Sequence, residues 1–377
     1  MKPVVSDHPG YPFREEFLRA FSARGLLFVN GPAPGSPEHA LLGEFLGLVH
    51  AYAFMERLVQ GEILCELPVH IDRVLTGLVD PQDEGERLAS QEAGLLDWTP
   101  ESTDSLVDAL DEIGVKVICR DDPDDGPART GPRLGAFTFD GDVGPAFLVG
   151  ASPHTPEAAF IAAHELGHLA ADIDPYRSRL CRWDARTFAN LSDRPEEVRA
   201  DRFARALLMP RETFLDALGD LGECPAEGAD PRAEQLAALF GVPWPTVIQR
   251  LVDLGLPPVG SGESISGPTE ESVAAAAGVA GSVTETTKAG EPAGQLAGEP
   301  AGQQAGPSPG QQAGQSAEEP SFSLTLPERF VNLALAAYAG HVLDVEDLAR
   351  FLRTTPPEAL QMADIAGVAP EWRDGWG

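Results

Sequence analysis

The run Ala163-His164-Glu165-Leu166-Gly167-His168-Leu169 makes chemical sense as one turn and a half of helix. At about 100° per residue, His164 and His168 lie about 40° apart, one turn above the other. Glu165 falls about 100° round from His164, and Leu166 about 200° away, where it can pack into a core. Two imidazoles stacked in this way can share one zinc ion, and the glutamate between them reaches a water without ligating the metal. With 8 His in 377 residues, His-Glu-x-x-His arises by accident in roughly one chain per hundred, so chance is a weak competitor.

Working outward, Thr155-Pro156-Glu157 is a strong helix start: a capping hydroxyl, a proline in the first turn and an acid at the positive end of the dipole. The helix is expected to run through Phe160 and Ile161 and to stop before Pro175. Gly167 costs roughly 1 kcal/mol against alanine in a helix interior, which suggests close approach by another backbone or by substrate. Downstream, Pro195 opens a second helix that Pro210 ends, with Ala200, Phe203, Ala204, Leu207 and Leu208 as its buried stripe. Glu196 and Glu197 both lie within about 60° of that stripe's centre and Asp201 flanks it. Acids at the rim of an apolar face need a partner, and a cation held by the preceding helix would supply one; the pattern does not separate Glu196 from Glu197.

Upstream, Val115 to Cys119, Leu134 to Phe139 and Ala146 to Val149 read as strands, the last two joined through the hairpin signal Asp140-Gly141-Asp142. A helix is expected from Pro100-Glu101, capped by Thr99, burying Leu106, Ala109, Leu110 and Ile113. The acidic run Asp121 to Gly126 lacks the alternate spacing of a calcium loop and reads as a solvated turn. Residues 12 to 60 look helical, with Phe13, Phe17 and Phe21 four apart. Leu41, Phe45, Leu48, Tyr52, Met55 and Val59 follow a three-to-four period, and Gly61 is a plausible stop. Residues 231 to 256 read as two short helices joined by Gly241-Val242-Pro243, in the shape of a helix-turn-helix. Their exposed basic residues, Arg232 and Arg250, are too few for reading DNA, so packing against the preceding domain is expected. From Val259 to Ser321 an Ala/Gly/Pro/Gln/Glu tract repeats itself (Ala289 to Gln295, then Ala297 to Gln303) and reads as a disordered linker. Order returns at Leu326. Phe330, Leu333, Ala337 and Tyr338 form one helix face, and Val345, Leu348, Ala349 and Leu352 another, in a tail too small to be stable alone.

His164-Glu165-Leu166-Gly167-His168, followed by Glu197-x-x-Ala200-Asp201-x-Phe203-Ala204-x-x-Leu207-Leu208-Met209-Pro210, resembles the ImmA/IrrE family of zinc metallo-endopeptidases. The paired pattern is far more specific than His-Glu-x-x-His alone, and the resemblance spans roughly residues 84 to 258. It implies zinc (Zn2+) held by His164, His168 and Glu197, with Glu165 as general base and Asp201 as an outer acceptor orienting a ligand imidazole. Within it, the spacing of four to Asp201 selects Glu197 over Glu196. Arg199 stands where relatives often have a second glutamate, and Phe160-Ile161-Ala162 replaces an Arg-Phe-Thr-type lead-in. Tyr176 and His154 are weak candidates for a transition-state donor.

The expected fold is α+β: a small mixed sheet packed on the motif helices, minimal zincin-like. The expected domains are a helical N-terminal region (1–83), a metallopeptidase domain with a helix-turn-helix-like closing segment (84–258), a disordered linker (259–321) and a small helical C-terminal segment (322–377). The expected function is regulatory proteolysis of one specific protein partner, such as a helix-turn-helix transcriptional repressor or an antitoxin. The rival is a non-catalytic regulator or toxin–antitoxin component using the same scaffold for protein binding. A formal net charge of −32 argues against a general nucleic-acid surface, and no apolar run is clean enough for a membrane span. Scattered Cys65, Cys119, Cys181 and Cys224 indicate no disulfide framework. With a first stretch lacking a signal pattern, these features lead to a cytoplasmic expectation.

Overall fold

The computed structural model describes residues 12, 27–29, 36–64, 80–96, 98–100, 105–121, 133–140, 143–172, 179–186, 194–222, 231–256 and 323–367. All of them fall in one compact unit drawn from Met1–Gly267 and Phe322–Gly377. Phe13, Phe17, Phe21, Tyr176, Cys65, Cys224, most of the acidic run after Asp121 and the repeat tract lie outside the described residues.

A six-stranded mixed sheet runs through the molecule in the order β1-β5-β3-β4-β2-β6. Its strands are β1 (Leu27–Val29), β2 (Lys116–Asp121), β3 (Arg133–Asp140), β4 (Gly144–Val149), β5 (Arg179–Arg186) and β6 (Ser323–Leu324). The hairpin expected at Asp140 to Asp142 is present: β3 and β4 are antiparallel, with Asp140 opposite Gly144. β2 runs parallel to β4, with Ile118 opposite Leu148. β5 pairs antiparallel with β3, and β1 pairs parallel with β5. The helical reading of residues 12 to 60 holds for Pro37–Gln60 and fails at Leu27–Val29, which form β1: Gly25 and Asn30-Gly31 bracket a run too short for a helix and rich in strand-favouring Phe and Val.

Alternation along β2 and β4 sends side chains into two cores. Val117, Cys119, Phe147 and Val149 enter one; Ile118, Ala146 and Leu148 enter the other. The first core is closed by helices consecutive in the chain: α2 (Pro81–Leu96), α3 (Leu106–Glu112), α4 (Pro156–Ala171), α5 (Pro195–Leu208), α6 (Arg211–Asp220), α7 (Arg232–Phe240) and α8 (Trp244–Asp253). Helix α2 starts at Pro81 and so runs across the 83/84 boundary. Helix α3 starts six residues later than Pro100, because Ser105 is the better cap. Its hydroxyl accepts from the Asp108 N–H at 3.2 Å and donates to the Asp108 carboxylate at 2.7 Å.

The second core joins the two ends of the described chain. Helix α1 (Pro37–Gln60) packs with α9 (Glu328–Ala339), α10 (Val345–Phe351) and α11 (Pro356–Ile365). Helix α1 begins at the Ser36 cap and stops at Gly61, whose φ of 88° suits glycine. Its middle is apolar nearly all round because it is covered twice, by the sheet and by the C-terminal helices. Tyr52 packs against Phe330, with ring centroids 5.2 Å apart, and Phe54 stacks on Phe351 at 6.0 Å. Strand β6 adds to the sheet edge beside β2, pairing Leu324 with Arg120.

A chain of buried polar groups runs through this core. Lys116 on β2 pairs with Glu56 on α1 at 2.9 Å, both fully buried. Glu56 also takes Arg329 of α9 at 2.7 Å. Arg329 donates to the Tyr52 hydroxyl at 3.2 Å, and that hydroxyl donates to Asp111 of α3 at 2.8 Å. Burial, opposed by the Tyr52 hydrogen bond and the charge of Arg329, leaves the Asp111 carboxyl pushed up to about 6. No described helix is long and apolar enough to cross a membrane.

Candidate metal centre

Helix α4 is set where the sequence requires it. The Thr155 side chain accepts from the Ala158 N–H at 3.2 Å, and Pro156 occupies the first turn. The helix continues to Ala171, so His164, Glu165 and His168 share its inner half, all buried. Helix α5 starts at Pro195 and crosses α4 at very close range. A Cβ on Gly167 would stand 3.1 Å from the Ala200 Cα and 3.1 Å from the Phe203 ring. Close approach by another backbone therefore explains the helical glycine. On the far side of α5, a Cβ on Gly85 of α2 would meet the Arg199 carbonyl oxygen. Two glycines thus let α5 sit tightly between α4 and α2.

That crossing brings Glu197 to the histidines. The two imidazole Nε2 atoms are 3.0 Å apart, and the Glu197 Oε2 lies 3.4 Å from each. Among the described residues this is the group of His, Cys, Asp and Glu donors close enough to hold a metal ion. The triangle has the right size: a tetrahedral zinc with ligands at 2.0–2.1 Å needs donor atoms about 3.3 Å apart. Glu196 is only half-buried and faces Arg194 at 3.7 Å, so of the two acids Glu197 is the one aimed inward. The other Glu197 oxygen accepts from Arg194 at 2.7 Å, leaving Oε2 for the imidazoles.

Each imidazole is also held from behind. His164 Nδ1 lies 2.9 Å from Asp201, and His168 Nδ1 lies 2.6 Å from Asp172, the residue that caps the end of α4. The charges answer one another strongly. Burial opposes charge on His164, but its bonds to Asp201 and Glu197 outweigh burial and its imidazole is pushed up to about 10. Burial likewise opposes charge on Glu197, and the two histidines override it, holding the carboxyl far below the usual range. Such a nest of carboxylates around two imidazoles favours a cation at its centre.

Of the weaker candidates, His154 sits before the N-cap with φ 66° and faces Asp108 at 3.5 Å. It stands at the start of α4, ten residues or roughly 15 Å of helix rise before His164, and is not part of the triangle. Asp172 was missing from the sequence reading, although its place four residues after His168 on the same helix face was a usable signal. The sequence marks Arg199 only as a departure from the family pattern and gives no sign that Arg199, Arg202 and Arg205 are buried. Arg202 and Arg250 grip Glu86 of α2, and Arg205 grips Asp253. Arg250, expected to be exposed, is fully buried: beyond its two bonds to Glu86 it donates to the Met209 carbonyl at 2.9 Å. It fixes α8 to α5 and offers nothing to a nucleic acid.

A glutamate returned by one helix to a His-Glu-x-x-His helix beside a small mixed sheet defines a metallopeptidase type of site. Residues 111–252 match the family model of the IrrE N-terminal-like domain, peptidase family M78, in agreement with the ImmA/IrrE resemblance of the motifs. The match contains the donor triangle, Glu165 and Asp201 and stops short of α1, α2 and the C-terminal helices. No curated protein matches the chain, and no solved structure does.

Proposed function

We propose that this chain is a zinc-dependent endopeptidase of regulatory type that cleaves one specific protein in the cytoplasm, such as a helix-turn-helix repressor or an antitoxin. The observation that carries the reading is the buried triangle of His164, His168 and Glu197 donor atoms, with Glu165 on the same helical turn.

His164, His168 and Glu197 would hold the zinc, whose Lewis acidity, when bound, activates water and polarises a peptide carbonyl. Glu165 takes the proton from the attacking water and delivers it to the departing amine. Asp201 keeps the His164 ring turned so that Nε2 faces the site, and Arg194 holds the outer Glu197 oxygen so that its partner points inward.

The test is the Glu165→Gln variant, incubated with zinc and with whatever protein regulator proves to be encoded beside this chain, against the wild type in parallel. It should retain one zinc per chain and lose cleavage by at least about 10²-fold. Cleavage at the wild-type rate would refute the assigned base. Cleavage lost together with zinc would place Glu165 among the ligands instead, and would overturn the proposed division of roles.

A further inference from the structure

The two imidazoles are backed by carboxylates of different standing. Asp201 belongs to α5, the helix that also carries Glu197. Asp172 is the C-cap of α4, where backbone carbonyls and the negative end of the helix dipole disfavour an acid. A carboxylate there needs a cation to stay in place, and one is present: the other Asp172 oxygen accepts from Arg199 Nη2. Arg199 is buried and sends Nη1 to Glu84 of α2 at 3.4 Å. One guanidinium therefore joins α2, α5 and the end of α4 directly behind His168.

We propose that Arg199 is a positioning residue for the metal: it fixes Asp172, and Asp172 fixes the His168 ring with Nδ1 outward and Nε2 toward Glu197. This rests on the zinc reading above. A merely structural Arg199 would bridge α2 and α5 with no effect on the metal once the chain is folded. A positioning Arg199 changes how tightly and in what geometry the metal is held, because outer hydrogen bonds set the orientation and basicity of a ligand imidazole.

The experiment measures zinc affinity of the full chain by competition with a chromophoric chelator, together with the visible spectrum of the cobalt-substituted protein. Melting of the metal-free protein reports folding separately. Asp172→Asn should weaken zinc binding by about 10- to 100-fold and Arg199→Gln by about tenfold. Arg199→Lys should recover most of the loss and restore the cobalt spectrum. The double variant should be little weaker than Asp172→Asn alone, since both act through one ring. Wild-type zinc affinity and an unchanged cobalt spectrum in Arg199→Gln, with Glu197→Gln losing zinc, would overturn the inference and leave the metal centre standing. Failure of the wild-type chain to bind zinc would instead remove the reading beneath it. Should Arg199→Gln not fold, Glu84→Gln loosens the same guanidinium from α2. A smaller weakening supports the proposal, and unchanged affinity contradicts it.

Discussion

The two faces of the sheet bury charge in opposite ways. On the face covered by α1 and the C-terminal helices, Lys116, Glu56, Arg329, Tyr52 and Asp111 satisfy one another across three segments of chain. On the other face, two imidazoles and a carboxylate converge donor to donor, each held from outside by Asp201, Asp172 or Arg194. The first arrangement is closed and its product is stability. In the second, like donor atoms are aimed at a common point, and its product is affinity for a cation. Buried charge alone therefore does not mark a site; the direction in which the lone pairs point does.

Breaking the closed network should have the largest effect on folding and none on the metal centre. Glu56→Ala leaves Lys116 and Arg329 buried beside each other without their shared carboxylate. It should cost about 3–5 kcal/mol in urea unfolding, while the fraction that stays folded keeps one zinc per chain. Loss of zinc from that folded fraction would show that the two faces are coupled.

The same network should carry a pH signature. The Asp111 carboxyl is raised to about 6 from an ordinary 3.8, so the folded chain binds that proton more tightly than the unfolded one. Its contribution to stability is full below about pH 4 and is lost as pH rises through 6, by up to about 3 kcal/mol. Subtracting the unfolding free energy of Asp111→Asn from that of wild type at each pH isolates this slope. A flat difference between pH 4 and 7 would contradict it.

At the helix crossing the two roles should appear together. Gly167→Ala gains helix propensity but forces a methyl against the Ala200 backbone and the packed Phe203 ring. A net loss of about 1–3 kcal/mol is expected, with weaker zinc binding because Glu197 lies one turn before Ala200. Stabilisation by the alanine would show that the helices can part without harm. The smallest effect belongs to the Thr155 cap: Thr155→Ala should lower stability by about 1 kcal/mol and leave zinc affinity unchanged, since the cap is more than two turns from His164.

What the sequence disclosed follows the same division. His164, Glu165, His168 and the helix starts at Thr155 and Pro195 are read from spacings of a few residues, and the β3–β4 hairpin from a three-residue turn. Gly167 signals a close approach by another backbone or by substrate, and the Ala200 backbone and Phe203 ring decide for the former. Long-range pairing was not legible. Nothing local says that Arg329 reaches Glu56 and Tyr52 on a helix some 270 residues earlier, or that Leu324 extends the sheet beside Arg120. Arg250 misled for a related reason: on α8 alone it reads as a surface cation, and only Glu86 on α2 makes its burial affordable. Strand β1 was hidden because three apolar residues fit either period.

The most direct test is zinc-edge anomalous diffraction from crystals of the wild-type chain soaked in zinc. The expected result is one dominant peak about 2.0–2.1 Å from His164 Nε2, His168 Nε2 and a Glu197 oxygen together. No peak at that point, or a peak that touches the two imidazoles while Glu197 stays turned away, would contradict it.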